Sequence, residues 1–400
     1  MSAIRALPSE VKQYLLVTAN YWAFTLTDGA LRMLVVLYFH QLGYDPLSIA
    51  MLFLFYELFG VVTNLLGGWL GARIGLNRTM NIGLGMQVLA LGLLTLPAAY
   101  LTIPLVMAAQ ALSGIAKDLN KMSAKSSIKL LVAKGQQHTL FKWVALLTGS
   151  KNALKGIGFF LGGALLSLLG FQVALASMAV ALLLVWLLSL MLLKRDLGKA
   201  KNKPKFTELF SKSSTINILA AARLCLFAAR DVWFVVALPV YLAQAFGWDH
   251  WWVGGFLALW VIGYGAVQAF APQLLGYKER QRLPSAALWG MLLALVTAAI
   301  ALLQQLANVP VWSLLLGLLV FGACFAINSS LHSYLIVRFA NQENVSMDVG
   351  FYYMANALGR LLGTLLSGWV FLQAGLSACL WLSAGLIFIA SIISLRLPKS

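Results

Sequence analysis

The chain has 400 residues, 61% of them hydrophobic and only 10% charged, with a mean hydropathy of +0.86. Soluble domains carry roughly 25% charged residues, so a soluble enzyme or a soluble basic nucleic-acid binder is excluded, and lipid is the solvent for most of the chain. Lys and Arg number 29 against 12 Asp and Glu, a net charge of +17, and the meaning of that charge depends on where it sits.

The first residues, MSAIRALPSEVKQ, are polar and lead into a full-length apolar run, which argues against a cleavable signal peptide. A membrane helix needs about 20 mostly apolar residues. That criterion predicts spans over 14–39, 46–70, 79–97, 104–131, 140–169 and 171–193, then 214–243, 251–275, 285–305, 309–335, 346–373 and 376–395. The expected fold is all-α and polytopic, with about twelve helices in two pseudo-symmetric six-helix halves. The halves are 1–193 and 214–400, joined by the basic stretch 194–213.

Loop charge alternates along these spans. Arg5 and Lys12, Arg73 and Arg78, Lys134 and Lys142, the central cluster from Lys194 to Lys212, Lys278, Arg280 and Arg282, Arg338, and Arg396 and Lys399 fall in every second connection. The intervening loops carry no Lys or Arg, so both termini are expected to be cytoplasmic. The central stretch reads as a topology determinant and a partner for anionic lipid headgroups. The halves echo each other: Gly43–Asp45 recurs as Gly247–Asp249 and Asn152–Leu154 as Asn356–Leu358, both at an offset of 204. Ser126 and Ser127 recur as Ser329 and Ser330 within one residue of that shift. Duplicated transporters of this plan hold substrate near the bilayer midplane.

The fourth span is the most informative. Lys117, Lys121, Lys125 and Lys129 recur at every fourth residue, which puts four ammonium groups on one helix face over about 18 Å. Lys151 and Lys155 lie one turn apart in the fifth span, with Arg32 in the first, Arg223 and Arg230 in the seventh and Arg360 in the eleventh. Each central Lys or Arg costs roughly 2.5–3.5 kcal/mol to insert, so eight facing lipid would cost about 20–28 kcal/mol. They must line water or protein instead. The acids in the spans are Asp28, Glu57, Asp118 and Asp231, so ten cations face four acids. Asp28 and Arg32, one turn apart, and the adjacent Arg230 and Asp231 are expected local pairs. The surplus points to an anionic ligand, with Arg forks matching oxyanions and Lys supplying point charge.

For Lys125 and Lys129 the competing reading is snorkelling at a helix end. Asn120, Asn152, Asn328 and Asn356, with other polar residues of the spans, are candidate ligand contacts, though each alone reads equally as an inter-helix hydrogen bond. The four acids are candidate proton-coupling sites. Cys225, Cys324 and Cys379 lie far apart in apolar runs and read as small buried hydrophobes, without metal spacing. No metal, cofactor or nucleic acid is called for. No GxxxxGK[ST] occurs, which argues against an ATP-driven pump in this chain.

The stretch GGWLGARIGLNR (67–78) resembles the cytoplasmic signature of the major facilitator superfamily: Gly68, Arg73, Gly75 and Arg78 match, while Ala72 stands where an Asp is usual. More specifically, NYWAFTLTDGALRMLVVLYFHQLGY (20–44), NRTMNIGLG (77–85), SGIAKDLNKMSAKSSIKLL (113–131), KWVALLTGSKNALKGIGFFLGGALL (142–166) and ARDVWFVVALPVYL (229–242) are similar to the ArsJ organoarsenical exporters. That resemblance implies efflux of 1-arseno-3-phosphoglycerate, and the expected carrier is a proton-coupled monomer of the inner membrane. It also implies a functional partner, the glyceraldehyde-3-phosphate dehydrogenase that makes the ester. A phosphate or phosphoglycerate antiporter would use the same cations, so that alternative stays open. A non-transporting receptor would have no use for the Lys stripe, and no nucleophile–base pattern supports an enzyme.

Overall fold

The computed structural model describes residues 8–44, 51–194, 197–200, 205–209, 213–248, 250–276, 285–305 and 311–398. Arg5, Asp45, Arg195, Lys201, Lys203, Lys212, Asp249, Lys278, Arg280, Arg282 and Lys399 lie outside the described residues.

The fold is all-helical. The first helices are α1 (Ser9–Gln41), α2 (Leu54–Ile74), α3 (Leu76–Leu93), α4 (Ile103–Leu131), α5 (Gln137–Leu169) and α6 (Phe171–Leu192). Then follow α7 (Ser214–Phe234), α8 (Ala237–Phe246), α9 (His250–Ala269), α10 (Ala271–Leu274), α11 (Ala286–Leu303), α12 (Val311–Phe339) and α13 (Val345–Ser394). Within apolar surroundings every backbone group must be satisfied inside its own segment, and the helix does that. Among the described residues, eight stretches are long and apolar enough to cross a membrane by length and composition. Leu168, Met191 and Leu372 are about four-fifths exposed (79%, 81% and 82%), a pattern suited to lipid contact.

Several predicted spans differ in detail, each with a local cause. The span expected over 214–243 breaks between α7 and α8. Pro239 has no N–H to donate, and its ring opposes the carbonyl of residue 235 one turn back. The span expected over 251–275 breaks between α9 and α10, where Pro272 stands in the first turn of α10. The last two spans form the single run α13, interrupted only at Gly375, where φ is 74°. The third helix begins at Leu76 rather than 79, directly after Gly75, and ends at Leu93. The second continues to Ile74, and its expected start, 46–50, lies outside the described residues.

The chain forms two compact units. The first contains Met1–Leu140, Ser150–Ser211 and Ala340–Met354. The second contains Phe141–Gly149, Lys212–Phe339 and Ala355–Ser400. In the first unit α4 packs on α1, α2 and α3, while α6 packs on α1 and α3. Polar ties join these helices: Asn20 donates to Ser189 Oγ at 2.8 Å, and Ser189 donates to Asn81 Oδ1 at 2.6 Å. The central polar stretch returns to this unit, with Leu76 N donating to Leu197 O at 2.8 Å and Ala200 N to Ala72 O at 2.9 Å.

The second unit has an aromatic core. Trp233 meets Trp260 and Phe321 edge-on at 6.0 and 4.9 Å, and the Trp260 indole donates to Leu318 O at 2.9 Å. Such ring pairs add about 0.5–1.5 kcal/mol each beyond their buried area.

Candidate functional site: two clusters of intramembrane charge

The first cluster arises where α2 crosses α4. A Cβ at Gly114 would stand 2.6 Å from the Tyr56 carbonyl oxygen, so only glycine permits this approach. It brings Tyr56 beneath the lysine face of α4, with Lys117 Nζ 3.8 Å from the ring centroid. Arg32 approaches the same ring at 5.0 Å. The Tyr56 hydroxyl lies 2.8 and 3.0 Å from the two Asp28 oxygens, and Ser113 donates to Asp28 at 3.5 Å. Asp28 is thus held by hydroxyls. Arg32, expected to pair with Asp28 one turn away, turns instead to Glu57 at 2.9 Å. Asp118 takes Lys121 at 2.5 Å.

Further along α4, Lys125 is buried at 3% exposure and donates to the Tyr353 hydroxyl, so it does not snorkel to a helix end. Lys121 and Lys125 stand over the Tyr353 ring at 4.9 and 4.8 Å. A cation over an aromatic face is worth about 0.5–2 kcal/mol. Lys129 lies apart from this group. With Lys134, Gln136, Gln137 and Gln342 it lines a separate cavity of about 240 Å³.

Lys151 reaches Asn152 Oδ1 at 3.3 Å, and Lys155 stands 5.9 Å from the Phe159 ring. Asn120 lies elsewhere on α4: its amide donates to Ala116 O at 2.9 Å and faces Gly83 on α3.

The second cluster lies within the other unit, on α7 and α13. Asp231 is fully buried. Its Oδ1 accepts from Arg230 Nε at 2.6 Å and its Oδ2 from Arg360 Nε at 3.1 Å. The adjacent Arg230–Asp231 pair expected from the sequence is therefore present, enlarged by Arg360. Two turns back along α7, buried Arg223 donates to Asn356 Oδ1 at 2.9 Å and to Ser329 Oγ at 3.0 Å, and stacks on Phe227 at 3.9 Å. Tyr264 and Gln268 donate to the same Ser329 hydroxyl at 3.1 and 3.2 Å. Asn328 is buried beside Gly290 on α11, away from these arginines' bonds.

Arg223 thus ties α7, α12 and α13. Arg223→Ala removes the arginine donor from buried Asn356 Oδ1 and one of the donors to Ser329, and is expected to cost about 1–3 kcal/mol, read as a lower thermal midpoint in detergent. An unchanged midpoint would show that these bonds do not brace the unit.

Tyr353 was among the polar span residues the sequence offered, whereas Tyr56 is the contact it did not single out. The usable signal for Tyr56 was its place beside Glu57 in an otherwise apolar helix.

The family description Major Facilitator Superfamily matches residues 15–303. None of the curated proteins compared matches the chain. Among solved structures, the human organic anion transporter MFSD10 (TETRAN) is similar with a TM-score of 0.77 at 16% identity, covering 97% of this chain and 100% of that one. FucP, a major facilitator transporter in the outward conformation, gives 0.76 at 13%, covering 98% and 100%. The proton:xylose symporter XylE gives 0.76 at 11%, covering 98% and 97%. At these identities the likeness is one of fold.

Proposed function

The chain belongs to the major facilitator superfamily and is a multi-pass secondary transporter working by alternating access, and from that premise we propose that it exports an anionic organoarsenical, 1-arseno-3-phosphoglycerate. Structures of this fold serve an organic anion, fucose and xylose, so the fold does not choose the cargo. The charge clusters support an anionic cargo, and the resemblance to the ArsJ exporters supports the organoarsenical within that class. The observation that carries the anionic reading is Lys117: its ammonium rests on the Tyr56 ring, with no carboxylate at ion-pair distance among the described residues. A cation kept in an apolar span on a neutral ring is suited to an incoming anion.

Within the first unit Lys117, Lys121, Lys125, Lys151 and Lys155 supply point charge suited to an oxyanion, and within the second Arg223, Arg230 and Arg360 supply guanidinium forks suited to the same chemistry. The membrane is the inner one, with both termini cytoplasmic on the loop-charge pattern. A glyceraldehyde-3-phosphate dehydrogenase supplies the ester, and export draws its reversible reaction forward. Coupling is to proton exchange, with Asp28, Glu57, Asp118 and Asp231 as the acids available to it.

Everted vesicles test this reading. Arsenic uptake is expected only when arsenate, glyceraldehyde 3-phosphate, the dehydrogenase and NAD are all present. Uptake of arsenate or 3-phosphoglycerate alone would instead establish a phosphate or organophosphate antiporter.

A further inference from the structure

We propose that Asp231 is a resident stand-in for the cargo's oxyanion, and that by occupying the Arg230–Arg360 pair it selects dianionic phosphate-type esters over monoanions. The inference deepens the anionic-cargo reading above and rests on it.

The whole arrangement lies within one unit. Asp231 presents its two carboxylate oxygens to two guanidinium groups, with Arg230 Nη2 2.5 Å and Arg360 Nε 3.1 Å away. Two oxygens of one anion meeting arginine donors is the same recognition that arginine offers a phosphate-type oxyanion. The carboxylate is fully buried, whereas the Arg230 and Arg360 side chains are 15% and 34% exposed. The arginines therefore reach from a buried internal anion toward accessible space.

The frame around them is rigid. A Cβ at Gly363 would stand 2.5 Å from Ala228 O and 3.0 Å from Asp231 Cβ, so α7 and α13 touch backbone to backbone here. The Arg230 guanidinium is flanked by the rings of Phe227, Phe234 and Phe325 at 4.9, 5.9 and 5.7 Å. Exchange of anions at this pair is left to side-chain rotation.

Charge then sets a threshold. Two arginines and one carboxylate leave a net charge of +1. An incoming monoanion gains from the arginines what Asp231 gives up, and must also leave water, so the exchange brings no advantage. A dianion brings twice the charge and three acceptor oxygens, and takes the arginines from the carboxylate. Asp231 so keeps the site from filling with ordinary carboxylates.

Titration calorimetry on the purified full chain at about pH 8, with methyl phosphate and dimethyl phosphate, tests this directly. The two esters share their chemistry but are a dianion and a monoanion at that pH. Wild type is expected to bind methyl phosphate at least about tenfold more tightly. In Asp231→Asn the displacement cost is gone for either ester, so both are expected to bind on the order of tenfold more tightly than in wild type, which lifts dimethyl phosphate over the threshold. Unchanged affinities overturn the proposal. So does loss of both esters in a folded Asp231→Asn protein, which would make Asp231 a brace that positions the arginines.

Should Asp231→Asn fail to fold, the double variant Asp231→Asn/Arg360→Gln removes the carboxylate with one guanidinium. It is expected to bind dimethyl phosphate more tightly than wild type does, and equal or weaker binding overturns the proposal. Wild type binding both esters equally overturns this inference alone. Wild type binding neither overturns the anionic-cargo reading with it.

Discussion

Lys117→Met is expected to lower organoarsenical uptake into everted vesicles by about 10- to 100-fold, while expression and the thermal midpoint stay at wild-type values. Methionine keeps the length and apolar stem of the lysine but removes the ammonium. A charge-assisted contact to a bound anion is worth about 1.5–3 kcal/mol, which converts to that range. The fold is expected to survive because Lys117 makes no ion pair among the described residues, only its approach to the Tyr56 ring. Lys117→Arg is expected to restore part of the transport. Lys121→Ala, Lys151→Ala and Arg230→Ala are expected to lose transport with expression retained. Normal transport by all of these variants would refute the cationic site.

Gly359→Val is expected to leave no folded transporter. A Cβ at this position would fall inside contact distance of the Leu224 carbonyl, and of the Leu224 carbonyl carbon and Cα at 2.9 Å. The obstacle is backbone, which cannot rotate away as a side chain can. Overpacking a well-filled contact costs about 1–3 kcal/mol even where neighbours yield, and here they do not. Gly368, on the same helix, has open space where its Cβ would stand. Gly368→Ala is therefore expected to fold normally, with a gain of about 0.5–1 kcal/mol from helix propensity. Size-exclusion profiles in detergent separate the cases: a monodisperse Gly359→Val protein would show that α7 and α13 can part at this crossing.

The helical architecture was legible because apolar runs of span length have one solution in lipid. The Arg230–Asp231 pair was legible because adjacency needs no tertiary knowledge. Arg32 shows where such reasoning stops. One-turn spacing pointed to Asp28, yet the guanidinium turned to Glu57, 25 residues away, while Asp28 was taken by Tyr56 and Ser113. Which of two reachable carboxylates wins depends on helix crossings such as that at Gly114, and a one-dimensional pattern does not encode them. Asn152 and Asn356, which the sequence places at the same offset of 204 in an Asn-Ala-Leu stretch, make different bonds: one accepts from its neighbour Lys151 and the other from Arg223 on a different helix. Lys125 was ambiguous for a related reason: a helix-end lysine and a buried one look alike until Tyr353 is seen to cover it.

The uneven charge of the Arg230–Asp231–Arg360 cluster has an electrical consequence. Empty, it carries one positive charge, and an inside-negative membrane draws positive charge toward the cytoplasm. Filled by a dianion, the same cluster carries one negative charge and is pushed the other way. Each elementary charge crossing the full potential is worth about 2.3 kcal/mol per 100 mV. Voltage alone would then favour return of the empty carrier and departure of one loaded with a dianion, so the resting cell's own polarity would act as a ratchet for the proposed export.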